Sequence, residues 1–228
     1  MLVDDLRWRE ERGVQRLRNL ISLDAIEELR TKEGLLETWN EMLPHGMLGW
    51  DRKGRPVMYR KIASVFNASK LEKVGFGSDV IIRYNTWMLE RLVYLSGDTG
   101  QFVNIVDLGD LRWGHTTPST MKFGKAMASV LKEHFPERMA KTFLINAPTF
   151  FAAVWAIVST WLDQRIQDKV TIVHNETKWR TALQELFDED MLPTHLGGKV
   201  ELSFRDGNSL DPKPAGADSE EDNAVSAN

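Results

Sequence analysis

From Thr142 to Leu162 the chain carries 21 residues without a single charge, bounded by Lys141 and Asp163. A helix of that length would span a bilayer. The tripeptide Asn146-Ala147-Pro148 interrupts it, because the residue before a proline is driven out of the helical region. The run therefore divides into a short β-like stretch, Thr142 to Ile145, and a helix of about four turns from Thr149 to Leu162, too short to cross. That helix is apolar nearly all round. Such a helix is either buried or faces something apolar that is not protein. The residues alone leave both readings open.

The rest of the chain alternates between two periodicities. Residues 1 to about 43 read as helical, with Leu2, Leu6, Val14, Leu17, Leu20, Ile21, Ile26, Leu29, Leu35 and Leu36 at helical spacing. A turn-rich segment follows, from Pro44 to Pro56, and Val57-Met58-Tyr59 leaves it as a strand. Asp79 to Leu95 is predicted as an amphipathic helix, with Val80, Ile81, Tyr84, Trp87, Met88, Leu92 and Leu95 on one broad face. Gln101 to Leu108 is predicted as a strand. Thr117-Pro118 has the cap and first-turn pattern of a helix running to about Phe135. Val170 to Val173 is predicted as a strand and Glu176 to Phe187 as a helix with Trp179, Leu183 and Leu186 inward. Short apolar strands alternating with helices imply an α/β domain with a mainly parallel sheet. From about Asp206 the chain turns to Asp, Pro, Gly, Ser, Glu and Asn, a composition that predicts a disordered acidic tail over 206–228.

Net charge is -4, which disfavours a general nucleic-acid binder. There is no cysteine, so disulfides, thiolate chemistry and Cys-based zinc sites are excluded. The acidic N-terminus lacks a signal-peptide core, so cytoplasmic residence is expected, with any membrane association peripheral. Eight Trp and ten Phe supply broad apolar surface for a core, an apolar cavity or a membrane interface. No G-x-S-x-G elbow, H-E-x-x-H or phosphate-cradling P-loop occurs. Gly75-Phe76-Gly77 lacks the third glycine of a dinucleotide loop and is expected to be a turn before a helix. His45, His115, His134, His174 and His195 stand at no metal-ligand spacing and are expected on the surface or in loops. No metal site, no catalytic residue and no cofactor are expected, and the chain is read as a non-enzyme.

Four stretches carry a likeness: Asp51-Arg-Lys-Gly54-Arg-Pro56-Val, Val106-Asp107-Leu108, His134-Phe-Pro136-Glu137-Arg138-Met139 through Asn146-Ala-Pro148, and Leu192-Pro193-Thr-His-Leu196-Gly197-Gly198. In this order they resemble the CRAL-TRIO lipid-binding family, the group of phosphatidylinositol and phosphatidylcholine transfer proteins. The resemblance covers roughly residues 46–202. It implies an α/β fold whose mainly parallel sheet floors an apolar lipid pocket, covered by a mobile gate helix. It also implies a division into a remnant of an N-terminal helical region (1–45), the lipid-binding domain (46–205) and the tail. The start of the chain looks like the end of that helical region.

The resemblance places Phe150, Phe151, Trp155, Val158, Trp161 and Leu162 in the gate, with the bound phospholipid as ligand and the membrane surface as a transient partner. It assigns Glu137 and Lys169 to a buried phosphatidylinositol headgroup site, with Lys169 meeting the phosphate and Glu137 accepting from inositol hydroxyls. The hydroxylated strand residues that hold choline phosphate in the family correspond to Phe102 and Asn104, and the aromatic of that site to Met58, so phosphatidylinositol is expected over phosphatidylcholine. The expected function is binding of one phospholipid and its transfer or presentation between membranes. The alternatives are a membrane-recruitment or interaction module, with a protein partner of unknown identity, and a carrier of another hydrophobic ligand such as tocopherol, a retinoid or haem.

Overall fold

The sheet is built from strands in sequence order: β1 (His45–Trp50), β2 (Pro56–Lys61), β3 (Phe102–Asp107), β4 (Met139–Ile145) and β5 (Val170–Val173). They lie in the order β1-β2-β3-β4-β5; β1 pairs antiparallel with β2 and every other pair is parallel. This computed structural model describes residues 2–11, 35–75 and 77–199. The helices are α1 (Leu2–Glu11), α2 (Leu35–Met42), α3 (Ala68–Lys73), α4 (Ser78–Leu95), α5 (Pro118–His134), α6 (Phe151–Val158), α7 (Gln164–Asp168) and α8 (Glu176–Gln184). The expected mainly parallel α/β architecture is present.

Alternation along the strands divides the core into two faces. Val57, Tyr59, Val103, Ile105, Phe143 and Ile145 face α8, where Trp179 and Leu183 meet them, and Phe187, Leu192 and Leu196 close the layer. Met58, Phe102 and Met139 join the opposite layer with α4 and α5, among Trp39, Met42, Tyr84, Trp87, Met88, Leu92, Phe123 and Val130. A third cluster lies at the C-terminal ends of the strands, where Leu108, Leu111, Leu144 and Ala147 receive Phe151.

Local chemistry sets the boundaries. Thr117 caps α5 by accepting from the Thr120 amide at 3.2 Å, with Pro118 in the first turn, as the sequence indicates. Gly77 occupies the cap of α4, in keeping with a plain turn at that point. Asp51 closes the β1–β2 hairpin: its carboxylate accepts from the amides of Lys53 and Arg55, each at 2.9 Å, and pairs with the Arg55 guanidinium at 2.5 Å. Asn146, just past β4, links that strand to β3 and α8. Its side chain donates to Asp107 at 3.0 Å and accepts from the Trp179 indole at 2.8 Å.

Several expectations change. The segment from Pro44 to Pro56 contains β1, because the β-bulge at Gly49, at φ +117, lets a glycine-rich run pair with β2. The long apolar helix is shorter than four turns: α6 covers eight residues, and a 3-10 turn at Ser159–Trp161 ends it. Asp163 then caps the separate helix α7, accepting from Ile166 at 3.0 Å. His45 is a buried strand residue rather than a surface histidine. Leu6 is 58% exposed, so the apolar spacing near the start of the chain does not place it inward. Of the helical reading over residues 1 to about 43, the part over 12–34 lies outside the described residues, as does the tail over 206–228.

Candidate lipid headgroup site

The turn from α5 into β4 positions Glu137. Arg138 donates its amide to the Phe135 carbonyl at 3.3 Å, Phe102 donates to the Arg138 carbonyl at 2.9 Å, and Gln101 donates its side-chain amide to the Glu137 carbonyl at 3.2 Å. Glu137 is held at φ +60, left-handed backbone that costs a non-glycine residue roughly 1 kcal/mol. Lys169 comes from the other side. It caps the C-terminus of α7, and its carbonyl accepts from the Thr142 amide of β4 at 2.9 Å.

The two side chains meet. Lys169 Nζ donates to Glu137 Oε2 at 2.8 Å, and Arg165 Nη1 stands 3.8 Å from Glu137 Oε1. The hydrogen bond and charge of Lys169 lower the Glu137 pKa, so its carboxylate stays ionised at neutral pH. The expected burial of this pair is not observed: the Glu137 side chain is 62% exposed and that of Lys169 24%. The tight turn after Pro136 projects the carboxylate to the rim of a cleft instead of into the core. An exposed pair of this kind adds little to stability.

That cleft has a volume of about 910 Å³. The end of α5, the start of β4, α7 and α1 form its walls. Ile82, Val130, Leu131, Phe135, Met139 and Ile166 give it an apolar lining, and Glu137, Arg165 and Lys169 edge it. Helix α1 is fastened across one side: Trp8 stacks on His134 with ring centroids 3.4 Å apart, and Arg9 pairs with the buried Glu90 at 2.5 Å.

The residues assigned to the gate occupy a separate place. Phe151 is buried in the cluster at the strand ends; Phe150 and Trp155 pack against it, half-buried. Trp161 lies near α5, where a Cβ at Gly124 would meet its ring at 3.7 Å. Val158 and Leu162 are half-buried, and Ile157 on the same helix is 54% exposed. Phe150 also meets Trp113 edge-on at 5.5 Å, and Trp113 is 64% exposed. The structure thus brings Glu137 and Lys169 together, groups Phe150, Phe151 and Trp155 at the strand ends, and sets Trp161 against α5.

A sequence model of the CRAL/TRIO domain matches residues 40–198. The chain belongs to the CRAL/TRIO domain family. Among its relatives, phosphatidylinositol/phosphatidylcholine transfer protein SFH9 of Arabidopsis thaliana is 26% identical over 89% of this chain. Phosphatidylinositol transfer protein CSR1 of Eremothecium gossypii is 23% identical over 90% of it. The chain spans 34% of the first of these relatives and 44% of the second. A crystal structure of Sfh5 shares the fold, with a TM-score of 0.60 at 17% identity, covering 89% of this chain and 65% of the other.

Of the two strand positions that the resemblance relates to choline phosphate, Phe102 is buried in the core with α4 and α5, and Asn104 donates to Thr142 at 3.4 Å. Met58 is buried in the same layer as Phe102. Sequence reasoning missed Arg165, whose approach to Glu137 depends on the break between α6 and α7. It also missed Trp8 and His134 as walls of the cleft, for which no local pattern exists. Among the described residues no helix is long and apolar enough to cross a membrane, and no cluster of His, Asp and Glu is placed to hold a metal.

Proposed function

We propose that this CRAL/TRIO chain binds a single phospholipid, phosphatidylinositol in preference to phosphatidylcholine, and transfers or presents it between membranes. The observation that carries the reading is the Lys169–Glu137 pair at the rim of a cleft of about 910 Å³ with an apolar lining. Lys169 and Arg165 present donors to a phosphate, while the ionised Glu137 accepts from ring hydroxyls. A choline head has no hydroxyl to offer Glu137 and would bring a second cation beside Lys169. The names of the relatives, phosphatidylinositol and phosphatidylcholine transfer proteins, support the ligand class. Burying acyl methylenes favours the complex by about 0.8 kcal/mol each, and the bilayer offers the same burial, so exchange runs close to thermoneutral. The reading assigns α6 and the Trp113–Phe150 contact to the membrane-facing side, because exposed Trp and Ile suit an interface.

The test is lipid loading from vesicles containing equal phosphatidylinositol and phosphatidylcholine. Wild type is expected to take up phosphatidylinositol preferentially, and Glu137→Ala and Lys169→Ala to lower that uptake about tenfold or more, the magnitude of one lost charge-assisted hydrogen bond. Unchanged uptake in both variants contradicts the headgroup assignment.

A further inference from the structure

Over residues 5–11, helix α1 meets the rest of the molecule along one narrow stripe. Leu6, Arg7, Glu10 and Glu11 are exposed, and Asp5, Trp8 and Arg9 turn inward. That spacing is a single helical face. Trp8 packs against the core, whereas Leu6 points away at 58% exposure. So little buried apolar surface leaves the helix held by polar contacts, for which water competes.

Those contacts converge on the last turn of α5. Trp8 lies flat on the His134 ring, the two planes within 9°. His134 Nδ1 donates to Asp5 Oδ1 at 2.8 Å. Arg9 donates its Nε to Asp5 Oδ2 at 2.9 Å and its Nη2 to the His134 carbonyl at 3.0 Å. Its guanidinium stands 5.3 Å from the centre of the Phe135 ring. A further contact reaches α4, where Arg9 pairs with Glu90. Asp5 and Arg9 are both part-exposed, so salt reaches the fastening. Pro136 and Glu137 follow the gripped residues directly, and Asp5, Trp8, His134 and Glu137 line the same cleft.

We infer that α1 is a releasable strap on this cleft. Fastened, it closes one side and steadies the turn that carries Glu137; released, it opens that side to the acyl chains of a lipid. The inference rests on the reading of the cleft as a lipid site. Because lipid and strap steady the same turn, each favours the other, and closure of the strap lengthens the time a lipid stays bound. The strap is separate from α6. It grips the residues that lead into β4, whereas Phe151 of α6 packs at the opposite ends of the strands.

The test uses the full chain and two readouts. The first is binding of anilinonaphthalene sulfonate, a dye that fluoresces on apolar surface and needs no phospholipid. The second is the rate at which protein loaded with pyrene-labelled phosphatidylinositol gives it up to phosphatidylcholine vesicles. Trp8→Ala and Asp5→Ala are expected to raise both several-fold while urea unfolding keeps its m-value, and added salt is expected to move wild type in the same direction. Arg7→Ala, on the outer side of α1, is expected to match wild type in both. A helix that only adds stability would lower the urea midpoint without changing dye binding or release in the folded protein. If Trp8→Ala does not fold, Asp5→Ala, which removes polar contacts alone, carries the test. If wild type takes up no phosphatidylinositol, the lipid reading fails and dye binding alone decides the strap. The proposal is overturned if the folded variants match wild type in dye binding, or if the loaded variants release lipid at the wild-type rate.

Discussion

His45 shows how a single side chain couples this fold to pH. Its Nδ1 donates to the Leu43 carbonyl at 2.7 Å, so its Nε2 accepts from the Tyr84 hydroxyl, and the ring is neutral. Burial, with Arg60 as a minor cause, lowers its pKa to about 4 from 6.5. The unfolded chain therefore takes up a proton near 6.5 that the folded chain refuses until about 4. Stability is expected to fall across that window as the pH drops, by roughly 3 kcal/mol at most from this residue. His195, also lowered, adds in the same direction. Urea unfolding at a series of pH values measures the slope; His45→Gln should flatten it between 6.5 and 4 even though it lowers stability at pH 7. An unchanged slope would remove His45 from the account. Nothing in the sequence announced this role, because a lone histidine after Pro44 resembles a loop residue until β1 pairs with β2 and buries it.

At the scale of elements, the Leu192–Gly198 segment explains why its pattern was informative. Gly197 sits at φ +88 after a 3-10 turn, and a Cβ on Gly198 would collide with the backbone carbonyl of Leu192. Gly198→Ala is expected to destabilise by about 1–3 kcal/mol, read as a lower urea midpoint with the same m-value; no shift would mean that the segment relaxes freely. The motifs legible in the chain were of this kind, where local backbone chemistry fixes a turn: the turn at Asp51–Pro56 and the Thr117 cap. The errors fell where tertiary contacts decide. The break of the apolar run into α6, a 3-10 turn and α7 depends on Gln167, whose amide donates to the carbonyls of Ser159 and Leu162, each at 3.0 Å. For α6 itself, Ile157→Ser is expected to leave the melting temperature unchanged, since Ile157 is exposed, and to weaken sedimentation with anionic vesicles. Vesicle binding equal to wild type would remove α6 from the membrane-facing side.

Over the whole molecule, the mainly parallel sheet was legible from alternating strand and helix patterns; that helices cover both of its faces was not. The cleft was not, because its walls come from α1, α5, β4 and α7, distant in sequence. The charge pair at its rim was legible only through the family motifs, and its exposure was not legible at all. Whether the chain carries phosphatidylinositol through Lys169 is decided by native mass spectrometry of the protein after incubation with mixed phosphatidylinositol and phosphatidylcholine vesicles. A one-to-one complex with phosphatidylinositol is expected, strongly reduced in Lys169→Ala. A chain that emerges free of lipid, or one that carries phosphatidylinositol equally with and without Lys169, would contradict it.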